Sequence, residues 1–379
     1  MFKYFNWVFP ALTLLGITLL GCRMGCAEEP VLHIYSWVDY VPQELIKKFE
    51  RETSIKIVYD VYDSNDVLEA KLLTGSSRYD IVCPSAWPYV GPQIIAGAYI
   101  PLDLSKLPNK KYLDPFLMEK LQEIDPQNRY LVPYTWGVTG IGLNKKKVLE
   151  IFPKAKLDSL DLIFNIETVK KFKKCGVSLL DEEVDVFPLA LLYLGLDPNS
   201  QKKEDIDQAA DLLMKIRPYI SRFGGFQSAI NLGTGELCVV QGWSTEVLKA
   251  HKATEESQNG VEVYFGIPRE GAAMWMDVHA IPKGAPHPEN AHKFINFLMD
   301  PQNAAIAGNY LTIAIPIPDA LPMIRKELRS NPAIFPPEAM KKKLFVDKTP
   351  SQDVKRYRSR LWFDIRAGRF SRQRPTMHH

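Results

Sequence analysis

Three tryptophans of this 379-residue chain each precede a carboxylate by two or three residues, near an end of a predicted strand. The pairs are Trp37 with Asp39, Trp243 with Glu246, and Trp275 with Asp277. An indole face attracts an ammonium group by roughly 0.5–2 kcal/mol, and it also covers methylene groups at about 0.8 kcal/mol for each buried CH₂. Carboxylates add charge-assisted hydrogen bonds to N–H donors. Together these residues indicate a pocket for an elongated aliphatic cation.

Other interpretations of the same pattern stay open. A single tryptophan beside an acid is most often a core residue next to a helix cap, although three separate pairs weaken that interpretation. A sugar site also uses tryptophan, but it needs more amide side chains and fewer converging acids. A ferric-ion site would need clustered tyrosines.

The chain lacks the local signatures of common enzyme classes. It contains no G-x-G-x-x-G, P-loop, G-x-S-x-G or H-E-x-x-H sequence. Of its seven histidines, His33 and His279 lie in predicted strands, and we interpret both as structural. A Ser/His/Asp triad has no fixed spacing, so a secreted α/β hydrolase remains an alternative that no pattern favours. We expect no catalytic residues, no cofactor and no metal site.

The elements expected to position the three pairs alternate between strand and helix. Residue periodicity predicts a strand at 31–36, a helix at 42–52, a strand at 55–61, a helix at 65–73 and a strand at 79–84. A second segment contains predicted strands at 177–180, 237–240 and 277–282 and predicted helices at 206–216 and 288–298. This order favours parallel βαβ units. Ligands of open α/β sheets bind outside the carboxyl ends of the strands, so the three pairs can meet in one cleft, although the third opens its strand.

The N-terminus has the pattern of a secretory signal. An apolar run at 8–20 is too short to span a bilayer comfortably, and cleavage after Ala27 predicts a signal peptide over 1–27. A lipobox-like sequence ending at Cys22 offers a second cleavage site, after which Cys22 would carry a lipid. We expect an exported protein that lies in the periplasm, either free or anchored through Cys22.

Export changes the interpretation of the five cysteines, because disulfides persist in oxidising compartments. Cleavage after Ala27 leaves Cys83, Cys175 and Cys238. Since Cys83 lies in a buried apolar run, we predict a disulfide between Cys175 and Cys238.

The charge pattern argues against a nucleic-acid partner. The formal net charge is only +3, far from the strongly basic footprint of nucleic-acid-binding domains. Residues 352–379 hold eight lysines and arginines but two acids. We interpret this stretch as a solvated helix end followed by a disordered tail at 369–379.

Several longer stretches resemble the bacterial periplasmic putrescine- and spermidine-binding proteins, which are the substrate receptors of polyamine ABC importers. They are 32–40 (LHIYSWVDY), 58–65 (VYDVYDSN), 79–85 (YDIVCPS), 133–142 (PYTWGVTGIG), 175–178 (CGVS) and 271–282. The resemblance extends from about residue 30 to about residue 368. It implies a type II periplasmic-binding-protein fold of the α/β class, with two lobes and two crossover strands as a hinge. The expected first lobe comprises 28–135 and 260–325, and the second comprises 136–259 and 326–368.

The resemblance also implies roles for particular side chains. Asp277 matches the main carboxylate clamp for an ammonium group, and Glu182 matches an acid that the spermidine-preferring branch uses. The other implied ligand residues are aromatic walls, acids or polar contacts: Trp37, Trp243 and Trp275; Asp39, Asp185 and Glu246; and Tyr40 and Ser85. Cys175 and Cys238 match a disulfide-bonded pair. The implied partners are a polyamine and the inner-membrane permease of an ABC importer. We expect a monomer, and a polyamine sensor that feeds a signalling partner remains an alternative.

The chain departs from the family pattern at several pocket positions. Val38 stands where relatives often have a hydroxyl, Glu246 where the putrescine-binding pattern has Asp, Trp87 where a smaller residue is usual, and Ile313 or Thr312 where an aromatic is expected. Glu182 favours a longer ligand, whereas Glu246 and Trp87 favour a smaller cavity. We expect putrescine as the first ligand and spermidine as the second.

Overall fold

The structure is a computed structural model that describes residues 30–74 and 78–369. The expected signal peptide at 1–27, with the lipid site at Cys22, lies outside the described residues. The expected tail also lies outside them, apart from Arg369. Within the described ranges, no helix is both long enough and apolar enough to cross a membrane.

A 10-stranded sheet runs through the molecule, and helices flank it along its length. The strands are β1 Val31–Trp37, β2 Lys56–Tyr62, β3 Ile81–Val82, β4 Leu131–Asn144, β5 Val177–Leu179, β6 Arg222–Phe223, β7 Val239–Trp243, β8 Val263–Gly266, β9 Ala272–Ala280 and β10 Leu344–Phe345. The helices are α1 Gln43–Thr53, α2 Asn65–Leu73, α3 Gly91–Ile95, α4 Pro115–Leu121, α5 Lys145–Ile151, α6 Asp161–Phe164, α7 Ile166–Val169, α8 Glu183–Tyr193, α9 Lys203–Ile216, α10 Phe226–Gly233, α11 Ser244–Ser257, α12 Pro288–Leu298, α13 Pro301–Leu311, α14 Lys326–Arg329, α15 Glu338–Lys341 and α16 Gln352–Ala367.

The first lobe is built on three strands in the order β2-β1-β3. Both β2 and β3 pair with β1 in parallel, which confirms the βαβ prediction for this part of the chain. Helix α1 buries Leu45 and Phe49, and Phe49 packs edge-on against Phe294 of α12 with ring centroids 4.9 Å apart. These helices cover the sheet and leave the carboxyl end of β1 at the cleft.

The second lobe is built on β7, β5 and β6. Strand β5 pairs in parallel with both neighbours. Its core contains large side chains from the helices, among them Phe187 of α8, Leu213 of α9 and Tyr357 of α16. The predicted disulfide between Cys175 and Cys238 is confirmed, with Cα atoms 5.5 Å apart, and it joins the segments that lead into β5 and β7.

Two long strands, β4 and β9, connect the lobes. All 14 residues of β4 are buried. Its first half pairs antiparallel with β9, and its second half, residues 139–144, pairs with β7 and β8. This arrangement confirms the α/β two-lobed architecture of type II periplasmic binding proteins with two crossover strands.

The contacts near the crossovers favour lobe boundaries different from those expected. Strand β8 pairs with the second-lobe half of β4, whereas the expectation assigned 260–325 to the first lobe. We propose that 263–266 belongs to the second lobe, because it pairs with strand residues of that lobe.

The sequence prediction for β9 was wrong at its N-terminal end. The strand begins at Ala272, after Gly271 with φ 139°, and not at Asp277. A residue at that φ is outside the conformations that side chains favour, so glycine permits the turn immediately before the strand. Trp275 and Asp277 therefore lie inside the strand, where β4 fixes their register opposite Gly137 and Thr135.

Candidate ligand-binding cleft

Asp277 is the most enclosed acid of the cleft, with 7% of its surface exposed. The Ser85 hydroxyl donates to Asp277 Oδ1 at 2.7 Å, and the Tyr40 hydroxyl donates to Oδ2. Ser85 follows β3 and forms an isolated bridge to Asp277, while Tyr40 follows β1. Thr135 on β4 contacts the Tyr40 hydroxyl at 2.6 Å. Three neighbouring strands therefore fix both oxygens of one carboxylate.

Burial raises the pKa of Asp277 from 3.8 to about 6, although the hydrogen bonds from Tyr40 and Ser85 act in the opposite direction. At neutral pH the carboxylate is ionised. An ionised carboxylate with little access to water gains more from a cation than an exposed one does, because the local dielectric constant is lower. Burial also raises the pKa of Tyr40 well above its usual value, so the phenol remains a hydrogen-bond donor.

Aromatic rings form the walls of the cleft beside Asp277. Trp37, the last residue of β1, packs against Tyr62 with ring centroids 4.7 Å apart, and its indole nitrogen is buried without a partner among the described residues. Trp275 lies two residues before Asp277 on the same face of β9. A Cβ at Gly137 would overlap the Trp275 ring and lie 2.7 Å from Ser244 Oγ. Glycine at position 137 therefore leaves the space that the Trp275 ring occupies.

Trp243 and Asp185 form a unit at the second-lobe side of the cleft. The Trp243 indole N–H donates to Asp185 Oδ1 at 3.3 Å, and the Gln241 amide donates to the Asp185 carbonyl oxygen at 2.8 Å. A Cβ at Gly225 would lie 2.6 Å from the Trp243 ring. Glycine at position 225 therefore leaves the space that the Trp243 indole occupies.

Like charges accumulate around Asp185. Burial, and then the charges of Glu182 and Asp347, raise the pKa of Asp185 well above its usual value. Glu182 is the residue before α8 and accepts a hydrogen bond from the Tyr89 hydroxyl at 3.3 Å. In the described part of the chain, no lysine or arginine forms an ion pair with Asp277, Asp185 or Glu182. The cleft is therefore acidic at Asp277, Asp185 and Glu182, and none of these three acids has a cationic partner among the described residues.

Asp347 is a cleft residue that the sequence patterns missed. It follows β10 in the segment that leads to α16, and its Oδ1 is buried without a partner among the described residues. Burial raises its pKa to about 7, and the charge of Arg358 acts in the opposite direction. Asp347 has no neighbouring tryptophan and lies more than 160 residues from Asp185 in the chain. No local pattern could have associated the two.

Two of the predicted acids already have protein partners. Asp39 is exposed and accepts a hydrogen bond from the Tyr310 hydroxyl at 2.6 Å. Glu246 lies in the first turn of α11, 3.2 Å from the ammonium group of Lys249. Both acids are more exposed to solvent than Asp277, whose partners are two hydroxyl donors inside the cleft.

The positions that depart from the resembling family have different surroundings. Val38 is 65% exposed, so it points away from the enclosed part of the cleft. Trp87 is only 6% exposed and lies in the helical turn Ala86–Val90. Thr312 and Ile313 are both buried, and Thr312 ends α13 in the left-handed conformation. Neither supplies an aromatic wall.

The two-lobed fold with an acidic, aromatic cleft at its crossover defines a class of extracellular receptors for small solutes. The sequence model of the family "Bacterial extracellular solute-binding protein" matches residues 44–336. The chain belongs to this family.

The matches to individual relatives are more specific than the match to the family. The putrescine-binding periplasmic protein PotF of Escherichia coli is 43% identical, over 93% of this chain and 96% of the relative. The putrescine-binding periplasmic protein SpuD of Pseudomonas aeruginosa is 42% identical, over 94% of this chain and 98% of the relative. Among solved structures, a putative spermidine/putrescine ABC transporter protein of Listeria monocytogenes has a TM-score of 0.77 and 32% identity, covering 90% of this chain and 100% of that one.

Proposed function

We propose that this protein captures a linear polyamine between its two lobes and delivers it to the permease of an ABC importer. The observation that carries the proposal is the set of acids without a protein cation, Asp277 and Asp185 above all, between indole walls. A polyamine supplies what this cleft lacks, which is positive charge at both ends of an apolar chain. A sugar would leave the buried charges unneutralised, at a large cost in free energy.

The required affinity is within reach of these contacts. A receptor with a micromolar Kd needs about −8 kcal/mol of net binding free energy. Each charge-assisted hydrogen bond contributes roughly 1.5–3 kcal/mol, and each buried methylene contributes about 0.8 kcal/mol. Two ammonium contacts and four methylenes supply about 6–9 kcal/mol. The association cost is offset by further contacts, such as the three indole faces at roughly 0.5–2 kcal/mol each.

Asp277 would bind one ammonium group and Asp185 the other, with the methylene chain between Trp37, Trp243 and Trp275. Asp39, Glu246 and Glu182 would add negative potential at the rim of the cleft. Putrescine is the first expected ligand and spermidine the second. The names of the relatives agree with this order of ligands. The two with the higher sequence identity among those given above are called putrescine-binding proteins.

The remaining features of the proposal follow from the same relatives. They are named as periplasmic binding proteins, which supports export to the periplasm, a permease as the partner, and a role without catalysis. We further propose that the receptor works as a monomer. Attachment to a membrane through a lipid on Cys22 is the alternative to a free periplasmic protein.

Isothermal titration tests the proposal. Putrescine, spermidine, agmatine and a neutral sugar are titrated into the purified protein and into Asp277→Ala. Putrescine should bind with micromolar or tighter affinity, the sugar should not bind, and Asp277→Ala should lose most of the affinity. Asp319→Asn is the matched control, because Asp319 is an exposed acid of the turn Pro318–Met323. Absence of binding by every polyamine would contradict the proposed function.

A further inference from the structure

One short segment of the first lobe contacts the second lobe across the cleft. In the helical turn Ala86–Val90, the Tyr89 hydroxyl donates to Glu182 Oε2 at 3.3 Å. On the preceding residue, the Pro88 carbonyl oxygen accepts a hydrogen bond from the Thr349 hydroxyl at 2.8 Å. Thr349 belongs to the segment between β10 and α16. The turn is therefore held against the opposite lobe at two points.

The Tyr89–Glu182 contact lies on the solvent side of Asp185. Glu182 is the residue immediately before α8 and Asp185 lies in the first turn of that helix, and the charge of Glu182 contributes to the raised pKa of Asp185, so the two carboxyl groups are neighbours. Glu182 is exposed, whereas Asp185 is half-buried and hydrogen-bonded to Trp243. A ligand nitrogen beyond Asp185 would therefore meet Glu182 next, at the oxygen to which Tyr89 now donates.

The surroundings of the Tyr89 hydroxyl are strongly acidic. Burial, followed by the charges of Glu182, Asp185 and Asp66, raises the pKa of Tyr89. Asp66 is in the first turn of α2 on the first lobe, and its charge also raises the pKa of Glu182. Carboxylates from both lobes thus surround a neutral donor. A cation would be favoured at this position if the Tyr89 hydroxyl moved away from Glu182.

We propose that Tyr89 is a specificity-determining residue that favours diamines over triamines by closing the cleft beyond Asp185. The inference depends on the proposed polyamine function and extends it. A diamine ends at Asp185 and leaves the Tyr89–Glu182 hydrogen bond intact. A triamine places a further charged nitrogen at Glu182, which requires the Tyr89 hydroxyl to leave its acceptor. The hydrogen bond is then lost only with the longer ligand.

The test is the ratio of the putrescine and spermidine dissociation constants in the wild-type protein and in Tyr89→Phe. Phenylalanine keeps the ring but does not hold Glu182. A hydrogen bond to a charged acceptor is worth roughly a factor of ten in binding, so the ratio should shift about tenfold toward spermidine. Putrescine affinity alone should change less than about threefold. Tyr193→Phe is the matched control, because Tyr193 donates to Asp161 at 2.9 Å within the second lobe.

A second variant separates this role from a general effect on folding. In a Glu182→Gln background, Tyr89→Phe should no longer shift the ratio toward spermidine, because the charged acceptor is absent. An unchanged ratio in Tyr89→Phe, with polyamine binding intact, overturns this inference and leaves the proposed function standing. A wild-type protein that binds neither polyamine overturns both.

Discussion

The two ends of the cleft differ in how they stabilise a buried carboxylate. At the first-lobe end, Asp277 is alone, and two hydroxyls hold its oxygens from neighbouring strands. At the second-lobe end, Asp185 shares its surroundings with Glu182 and Asp347, and its side chain has one indole N–H as its donor in the described structure. The first end is organised before a ligand arrives. At the second end, Arg358 offsets part of the charge of Asp347, and the negative charge that remains around Asp185 and Glu182 favours a bound cation.

The difference has a functional consequence. A rigid, hydrogen-bonded carboxylate supplies affinity, because little has to reorganise when an ammonium group binds. A group of like charges supplies selectivity, because its energy depends on how much positive charge the ligand brings and where. We therefore expect substitutions at the first-lobe end to weaken all polyamines, and substitutions at the second-lobe end to change their ranking.

The largest expected effect compares the two main acids directly. Removal of one member of a buried, hydrogen-bonded charge pair costs roughly 2–5 kcal/mol, so Asp277→Asn should weaken putrescine binding by about 100-fold or more. Asp185→Asn should weaken it by about tenfold, because the neighbouring acids Glu182 and Asp347 still attract the second ammonium group. Titration calorimetry at pH 7.5 measures both. Equal losses in the two variants would contradict the proposed difference between the ends.

The next largest effect concerns Trp275, which forms part of the aromatic wall at the first-lobe end of the cleft. Overpacking a buried site costs roughly 1–3 kcal/mol, and the Cβ of Gly137→Ala would displace the Trp275 ring. Putrescine affinity should fall about tenfold. Gly233→Ala is the control, because its Cβ would lie 3.5 Å from the nearest atom, an ordinary contact distance. If the two variants bind equally well, Trp275 does not depend on Gly137 for its position.

A comparable effect is expected from acidification. Asp277 has its pKa raised from 3.8 to about 6, so its charge is present at pH 7 and mostly lost at pH 5. Putrescine affinity should fall about tenfold over this interval. The stability of the unliganded protein should change in the opposite sense, because a folded state with a raised carboxyl pKa loses stability as the pH rises from about 4 to about 6. Calorimetric titrations and thermal melts across this range check both signs. A flat affinity profile between pH 7 and 5 would contradict the assigned role of Asp277.

The smallest effects are expected at the two acids that already have partners. Asp39 accepts from Tyr310, and Glu246 pairs with Lys249. Exposed or partly exposed pairs of this kind contribute roughly 0–1 kcal/mol, so Asp39→Asn and Glu246→Gln should each change putrescine affinity less than about threefold. A tenfold loss in either variant would show that the rim acids act as ligands in their own right.

Local patterns in the sequence predicted much of the fold and the first-lobe end of the cleft. Periodicity located α2 and α12 at the residues where they occur, and β1 within one residue of its end. The indole–acid pairs indicated Trp37, Trp243 and Asp277 because both partners lie close together in the chain. The resemblance to a known family then supplied the roles of Tyr40 and Ser85.

What the sequence did not indicate depends on contacts between distant segments. Asp347 reaches the surroundings of Asp185 only because the chain returns from β10 to α16 beside α8. Tyr89 meets Glu182 only through the docking of the two lobes. Conversely, the pairing of Glu246 with Lys249 and of Asp39 with Tyr310 depends on side-chain directions that residue spacing does not settle.

A crystal structure of the protein with putrescine tests the proposed binding mode most directly. We expect one ammonium nitrogen within hydrogen-bond distance of the Asp277 carboxylate, the other beside Asp185, and the methylene chain between the indoles. The hydrogen bond between Tyr89 and Glu182 should remain intact when putrescine is bound. A diamine bound elsewhere, or with neither nitrogen on Asp277, would contradict the proposed role of Asp277 as the main ligand of an ammonium group.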